Sequence, residues 1–416
     1  MYRFLRTTMR VVLRVFVRRI YVTGKENLPV DSPIIFACNH TNAFFDAVLT
    51  TCEIKLKYCL HFMTRADIFK PPWLPLLNSM NLIPVYRMRD GRANLSKNEG
   101  SFEATTQVLS ENKSILIFSE GICIPEKRVQ RLLKGTARIA FKAYEAGLED
   151  LMIVPVGINY SEQTKFRMDV MLNYGRPIPV KKWIAQYKLD EAKTINEFNT
   201  ELRSKLIEKS HHIENPENDK LFAELVSFDT NEDKQWHSTD KTRFEQQKNR
   251  AKQIENTNGD LSEHLKTDLA RYAALRKKLG LSTEQVAPNP PAYNLSFVLA
   301  TIVYLTIWPI TLAPLKGADW LVEYKVKAKM FKSSIRMTAG MLFYANWIIL
   351  LTVFLSFWFG WMSILFFPIP ATLLGLYYWQ CHDTIKQYLD WRIWRSVEEN
   401  NKVEAAELVF IRAKYK

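Results

Sequence analysis

The sequence predicts an α/β domain followed by a region that attaches to a membrane. Short apolar stretches alternate with helical stretches from about residue 21 to residue 210, which is typical of α/β folds. Two runs without any charged residue, 285–315 and 337–381, come after this domain. A helix that spans a bilayer needs about 20 apolar residues. We therefore expect C-terminal membrane helices.

The N-terminal residues 1–20 predict a basic amphipathic helix. Five arginines recur at helical spacing while apolar residues occupy other sectors, as in helices that lie on anionic lipid. An ordinary surface helix packed on its own domain is the alternative. The arginines interrupt any apolar signal-peptide core, so cleavage is not expected. They are Arg3, Arg6, Arg10, Arg14 and Arg18.

Within the α/β domain, 21–210, three apolar stretches predict strands: Ile34–Cys38, Ser114–Phe118 and 152–159. The first two end directly in polar residues. Ligands of open α/β sheets collect beyond the carboxyl ends of strands, so these ends are the places where a site is expected. A helix is predicted over 129–146.

The remainder divides into a charged helical linker region, 211–290, and a membrane-anchoring region, 291–416. The run 337–381 is long enough for two crossings with a bend at Gly360 or at Pro368 and Pro370. Prolines favour a re-entrant or interfacial segment for 295–315. Basic residues between 316 and 336 place that loop on the cytoplasmic side, as in a multi-pass integral membrane protein. A buried soluble helical core is the alternative.

The charge and composition of the whole chain limit the classes of binding partner that are expected. A formal net charge of +14 suits nucleic acid, a phospholipid surface or a phosphorylated substrate. No nucleic-acid motif appears, and such a partner would not explain the apolar C-terminus, so none is expected. The five cysteines lack the spacing of a disulfide framework or zinc site, and the histidines are dispersed, so no metal is expected.

A histidine and an aspartate follow the first predicted strand in CNHTNAFFDAV, where His40 and Asp46 are close enough for a turn to join them. Imidazole accepts a proton near neutral pH, and a carboxylate on its other nitrogen fixes the tautomer, so the pair is suited to general-base catalysis. A structural pair, with Asn39 and Asn42 as helix caps, is the alternative.

Four blocks in order resemble the glycerolipid acyltransferase family, the glycerol-3-phosphate and lysophosphatidate acyltransferases. NHTNAFFDAV is similar to that family's NHxxxxD block, LIPVYR to its second, FSEG to its FPEG block and IVPVGINY to its fourth. The resemblance covers about residues 21 to 180. It implies a mixed sheet flanked by helices, as in glycerol-3-phosphate acyltransferases.

The resemblance also implies roles. His40 is the catalytic base, Asp46 orients it, Arg87 binds the acceptor phosphate, and Glu120 with Gly121 frames the acceptor site. A guanidinium offers phosphate a planar fork of donors, in agreement with the role of Arg87.

The chain departs from the family pattern in two places. Five residues separate His40 from Asp46, where the commonest pattern has four. In the third block Ser119 replaces the usual proline, and Ile122 and Cys123 replace Thr-Arg, which removes one expected cation. Cys123 is expected to be a packing residue. The candidate replacements for the cation lie within a few turns and are Lys127, Arg128, Arg131 and Lys134.

The resulting prediction is an O-acyltransferase of phospholipid synthesis on the cytoplasmic side of a membrane. The acyl donor is acyl-CoA or acyl carrier protein, and the acceptor is glycerol 3-phosphate or lysophosphatidate. No cofactor is expected. The alternatives are a lysophospholipid-remodelling acyltransferase and a non-catalytic membrane adaptor that retains the fold.

Overall fold

The computed structural model describes residues 2–86, 98–228, 237–255 and 260–415. The chain forms two units. The first contains the described residues of Met1–Leu13, Val17–Pro216 and Gln235–Lys248, and the second those of Arg14–Phe16, Glu217–Lys234 and Asn249–Lys416.

The described strands of the first unit form one mixed sheet of nine strands, in the order β4-β3-β5-β2-β6-β7-β1-β9 with β8 beside β6. Neighbours pair in parallel, except that β6 is antiparallel to both β7 and β8. The predicted mixed sheet is confirmed. The strands are β1 (Val17–Thr23), β2 (Ile34–Cys38), β3 (Leu60–Arg65), β4 (Leu82–Val85), β5 (Ser114–Phe118), β6 (Met152–Tyr160), β7 (Met168–Tyr174), β8 (Ile178–Pro179) and β9 (His237–Ser238).

The centre of the sheet consists of the three predicted strands. All residues of β2 are buried, as expected of an uninterrupted apolar run with neighbours on both sides. In register, Cys38 of β2 pairs with Phe118 of β5 and with Val156 of β6. Because all three strands are parallel, their carboxyl ends lie at the same edge of the sheet.

Helices flank this sheet. Phe141 and Phe198 meet edge to face, with ring centroids 5.6 Å apart, in one buried cluster with Ile35 and Ile115 of the sheet. Each buried aromatic ring contributes about 1.5–3 kcal/mol. The helices that lie wholly or mainly in this unit are α1 (Tyr2–Phe16), α2 (Ala43–Glu53), α3 (Leu74–Ser79), α4 (Asn98–Ser110), α5 (Gly135–Glu145), α6 (Ile184–Leu189) and α7 (Glu191–Glu208).

Helix α5 begins six residues later than predicted, at Gly135 rather than 129. The backbone amides before Gly135 donate hydrogen bonds to groups that are distant in the sequence. The amide of Val129 donates to His212 Nδ1 at 3.0 Å, and that of Leu133 donates to the Ser119 carbonyl at 2.9 Å. These contacts hold the segment before Gly135 in an irregular conformation in place of a first helical turn.

The N-terminal helix ends at Phe16, and the residues after it form β1, which pairs with β7. The predicted continuous arginine stripe is wrong in part. Arg6 donates to the Thr51 carbonyl at 2.9 Å, at the end of α2, and Arg18 forms two hydrogen bonds of 2.8 and 2.9 Å with buried Asp169. Arg3 and Arg10 stay on the exposed face.

The second unit is helical. Three segments, Leu295–Lys325, Lys329–Phe359 and Met362–Asn400, are long and apolar enough to cross a membrane. α11 packs against both α12 and α14. α9 begins in the first unit and ends in the second. The helices are α8 (Asp219–Ser227), α9 (Thr242–Glu255), α10 (Asp260–Lys278), α11 (Leu295–Lys325), α12 (Lys329–Phe359), α13 (Met362–Phe366), α14 (Pro368–Asn400) and α15 (Lys402–Lys414).

One helix break falls at Gly360, where φ is 64°, and a second falls at Phe367 directly before Pro368, so both predicted positions carry a break. Pro309 and Pro314 lie inside α11, which continues through them. The basic segment 316–336 is not a loop, because α11 extends to Lys325 and α12 starts at Lys329. Whether α11 crosses the membrane or lies at its interface stays a prediction.

Candidate active site

His40 lies in the loop that leaves β2, at the edge of the sheet where β5 also ends. Its ring stacks on Phe118, with centroids 3.8 Å apart and planes inclined by 13°. Its amide donates to Glu120 Oε2 at 3.2 Å, and its carbonyl accepts from the Ile124 amide at 3.2 Å. The backbone and the ring of His40 are therefore both held by the β5 end.

The predicted His40–Asp46 pair is formed. Nδ1 of His40 lies 2.9 Å from Asp46 Oδ2, and the His40 side chain is 17% exposed. The additional residue between them is accommodated at the start of α2, where Ala43 adopts a left-handed φ of 42°. A non-glycine residue rarely adopts this conformation, so the local turn is specialised for bringing the carboxylate back to the ring.

Asp46 is fully buried and accepts hydrogen bonds on both oxygens. Oδ2 accepts from the amides of Thr41 at 3.0 Å and Asn42 at 2.8 Å, and Oδ1 accepts from the Tyr160 hydroxyl. The carboxylate also lies in the first turn of α2, where the helix dipole favours negative charge. These donors fix the orientation of the carboxylate toward His40.

Glu120 connects two loops of the site. Its side chain is 2% exposed and accepts from the amides of His40 and Gln130, each at 3.2 Å. Burial raises the pKa of Glu120 to about 7. Through these hydrogen bonds, Glu120 lies beside the His40–Asp46 pair and belongs to the framework that holds the His40 loop.

Gly121 follows with a φ of 65°, and a Cβ atom there would lie 2.2 Å from Leu133 Cδ1. Glycine avoids both the strained conformation and the clash. Its place in the turn after β5 explains the glycine of FSEG, and its role in the acceptor site stays a prediction.

The predicted phosphate-binding cations have different surroundings. Lys127 Nζ donates to the Tyr160 carbonyl at 3.0 Å and lies on the wall of a small polar pocket. Arg128 pairs with Glu126 at 3.4 Å and does not line this pocket. Arg87 lies outside the described residues. The structure thus brings Lys127 near the His40 loop.

Cys123 occupies the position where the family pattern has a cation. Its Sγ accepts from the Ala43 amide at 3.1 Å, at the start of α2. Burial raises the pKa of its thiol to about 12. The side chain is therefore a thiol that packs against the helix and not a reactive thiolate. The described part of the chain holds no cluster of metal-ligating side chains.

Sequence reasoning missed three residues that build the site. Tyr160 donates to Asp46, and Asn39 binds the backbone of Ile158 through two hydrogen bonds of 3.0 and 2.7 Å, which extends the pairing of β2 with β6. At Gly157 a Cβ would lie 2.0 Å from the Lys209 carbonyl. Gly157 and Tyr160 both belong to the fourth block, so the block itself was the available signal.

The matches to known proteins fall in the α/β domain that carries this site. Residues 19–159 match the family model described as Acyltransferase. The 1-acyl-sn-glycerol-3-phosphate acyltransferase of Bacillus subtilis (strain 168) is 29% identical over 122 residues, which are 29% of this chain and 56% of the relative. The chain thus spans about half the length of the curated relative that it matches.

Among solved structures, the 1-acyl-sn-glycerophosphate (LPA) acyltransferase PlsC of Thermotoga maritima aligns with 49% of this chain and 80% of its own, at 19% identity and a TM-score of 0.35. The family assignment depends on the sequence matches, which cover the domain that carries the four blocks. Over this domain, the chain is similar to glycerolipid acyltransferases.

Proposed function

We propose that the chain transfers a fatty acyl group from a thioester to a hydroxyl of lysophosphatidate or glycerol 3-phosphate. The observation that carries the proposal is the His40–Asp46 pair at 2.9 Å, placed at a strand end with its carboxylate held by two backbone amides and Tyr160. This arrangement is a general base whose tautomer is fixed.

In the proposed reaction, Nε2 of His40 takes the proton of the acceptor hydroxyl while Nδ1–H donates to Asp46. The hydroxyl oxygen forms a bond to the thioester carbonyl carbon, and the carbon–sulfur bond then breaks. The leaving thiolate receives the proton from the imidazolium, so the base is regenerated. Asp46 stabilises the imidazolium between these steps. The balanced reaction consumes only the acyl thioester and the acceptor.

The acceptor class is supported by the name of the Bacillus relative, which acts on 1-acyl-sn-glycerol 3-phosphate. Acyl-CoA or acyl carrier protein is the proposed donor. A phospholipid membrane is the proposed surrounding, because three segments of the second unit are long and apolar enough to span it. We place the catalytic domain on the cytoplasmic side, following the basic residues between 316 and 336.

The test uses the purified full chain in detergent micelles or lipid nanodiscs. Labelled glycerol 3-phosphate and lysophosphatidate are each offered with acyl-CoA and with acyl carrier protein, and the products are identified by mass. Other lysophospholipids in the same assay test the remodelling alternative. We expect acylation of one or both phosphate-bearing acceptors.

The matched variants are His40→Ala and His61→Ala. His61 lies in β3, where its Nδ1 contacts the Cys59 carbonyl at 3.0 Å, and serves as the control histidine. Loss of a positioned general base typically costs about 10²–10⁴-fold in rate. His40→Ala should show this loss with unchanged melting temperature and membrane association, and His61→Ala should not. A folded His40→Ala protein with wild-type turnover would point to the non-catalytic adaptor instead.

A further inference from the structure

Helix α2 carries Asp46 of the candidate site in its first turn, and its other end is bound by groups from three distant parts of the first unit. The helix contains neither glycine nor proline, so it is a rod about 16 Å long without a residue that favours a kink. A displacement of its C-terminal end is therefore passed along the helix to Asp46.

The buried face of α2 is mainly apolar. Phe45 and Leu49 are fully buried, and Cys52 is 2% exposed. Apolar contacts are non-directional, so they fix the position of a helix along its own axis less sharply than hydrogen bonds do. The hydrogen bonds of Asp46 at the N-terminal end belong to the site itself. Contacts that hold the helix independently of the site are those at its C-terminal end.

Arg6 of α1 binds carbonyl groups at this C-terminal end. Its Nε donates to the Thr51 carbonyl at 2.9 Å, and its Nη2 donates to the carbonyls of Ile54 and, at 3.5 Å, Cys52. The last four carbonyls of a helix have no partner within the helix, and the helix dipole favours a positive charge beside them. Arg6 and Asp46 thus place opposite charges at the two ends of α2, each at the end that the dipole favours.

Glu53, the last residue of α2, connects the same end to the sheet. Its side chain is 4% exposed. Lys25, in the turn after β1, donates to Glu53 Oε2 at 3.4 Å, and His237 Nε2 of β9 lies 3.0 Å from the same oxygen. Both the helix dipole and burial disfavour a carboxylate at this position, and the two partners offset that cost. The end of α2 is thereby tied to the β1–β9 edge of the sheet.

We propose that these contacts, which we call the α2 clamp, fix the position of Asp46 and through it the orientation of the His40 ring. The clamp consists of Arg6, Lys25, Glu53 and His237. This inference rests on the proposed function. Groups of a catalytic assembly must be held within about 0.5 Å of their working geometry, and a misplacement of about 1 Å caused far from the chemistry can cost about 10²-fold in rate. Arg6 and Glu53 are therefore positioning residues, and α1 is part of the framework of the base.

Steady-state kinetics of the full chain in detergent micelles, with lysophosphatidate and acyl-CoA, tests the clamp. Arg6→Met removes the guanidinium but keeps an unbranched side chain, and it should lower kcat about 10-fold with acceptor KM within about twofold. Arg6→Lys keeps the charge but loses the planar fork of donors, so its kcat should lie between those of Arg6→Met and wild type. Arg3→Met, on the exposed face of α1, is the matched control and should have wild-type kinetics.

Hydrogen–deuterium exchange reports the position of Asp46 without any turnover. The amides of Thr41 and Asn42 both donate to Asp46 Oδ2, so their exchange should become faster when the carboxylate is displaced. In Arg6→Met we expect faster exchange in a peptide that covers 41–46 and unchanged exchange in a peptide from α7. A general loss of stability would instead make exchange faster in both peptides.

Glu53→Gln loosens the same helix end through different partners. Glutamine keeps an acceptor oxygen but loses the charge that binds Lys25 and His237. We expect a smaller fall in kcat than in Arg6→Met, with the same faster exchange confined to 41–46. This variant also tests the clamp if Arg6→Met does not fold.

Three results would overturn the clamp. The first is wild-type kcat in folded Arg6→Met and Glu53→Gln proteins. The second is a fall in kcat without faster exchange confined to 41–46, and the third is a higher acceptor KM at unchanged kcat. Failure of the proposed function is a separate result, because wild-type turnover in His40→Ala refutes the base while exchange in Arg6→Met still reports whether the clamp holds Asp46.

Discussion

Replacing Asp46 by asparagine tests the base assembly most directly, because the surrounding donors dictate how the new amide turns. Oδ2 accepts from the amides of Thr41 at 3.0 Å and Asn42 at 2.8 Å and faces His40 Nδ1 at 2.9 Å. An NH₂ group at that position would oppose two backbone N–H groups. The asparagine oxygen must therefore replace Oδ2, and the NH₂ group then faces Tyr160, whose hydroxyl can accept.

The size of the effect follows from this orientation. His40 Nδ1–H keeps its acceptor, so the tautomer is preserved and only the negative charge is lost. A hydrogen bond to a charged group contributes about 1.5–3 kcal/mol, against about 0.5–1.5 for a neutral one. The difference between the two is about 1–1.5 kcal/mol, which at 1.4 kcal/mol per factor of ten predicts a fall in kcat of about 5- to 12-fold. Reversal of the tautomer would cost about 10⁴-fold.

The assay is acyl transfer at saturating donor and acceptor, with thermal melting of the same Asp46→Asn preparation. Acceptor KM should change little, because Asp46 stabilises the imidazolium and not the bound acceptor. Tyr160→Phe is the companion variant, and it should lose less activity because it removes only one donor to Oδ1. A folded Asp46→Asn protein as inactive as His40→Ala would refute the inferred amide orientation. Full activity would show that the carboxylate does not support the base.

Four further outcomes are expected. Glu120 has a folded-state pKa of about 7 against an ordinary 4.5, so its ionisation destabilises the fold as pH rises through this window. Thermal melting at fixed pH values should show that the stability of Glu120→Gln relative to wild type increases by about 3 kcal/mol between pH 4.5 and 7. A difference in stability that does not change with pH would mean that Glu120 is not buried as described. Gly121→Ala should lower the melting temperature because of the φ of 65° at this position and the clash of the new Cβ with Leu133. Adding Leu133→Ala should restore part of the loss. An unchanged melting temperature in the single variant would contradict the conformation described for this turn. Arg87→Ala should raise acceptor KM more than donor KM, and the reverse result in steady-state kinetics would remove Arg87 from phosphate binding. A cysteine in place of Lys327, exposed between α11 and α12, should react with an impermeant reagent only in permeabilised cells, and labelling of intact cells would overturn the cytoplasmic assignment.

Much of the fold could be predicted from local sequence. β2 and β5 are uninterrupted apolar runs that end in polar residues, and their bounds agree with the prediction because a central parallel strand must be apolar on both faces. The break at Gly360 was also predictable, since glycine readily adopts the positive φ found there. These features depend on residues within a few positions of one another.

Features that depend on partners far along the chain could not be predicted in this way. Arg6 and Arg18 fit an exposed stripe by their spacing, yet one binds the end of α2 and the other binds Asp169, 151 residues away. The start of α5 was placed too early because helical periodicity does not show that the preceding amides bind distant groups.

The sequence by itself determined the bounds of β2 and β5, the spacing of the four blocks and the choice of His40 and Asp46 as candidates, because each of these is a local pattern of apolar and reactive residues. Only the tertiary structure decided which distant groups hold the pair in place. Tyr160 reaches Asp46 from 114 residues along the chain, and Gly157 admits the Lys209 carbonyl that positions Ser210. Hydrogen bonds and close backbone approaches of this kind exist only after distant segments have packed together, so they leave no periodic signal in the sequence.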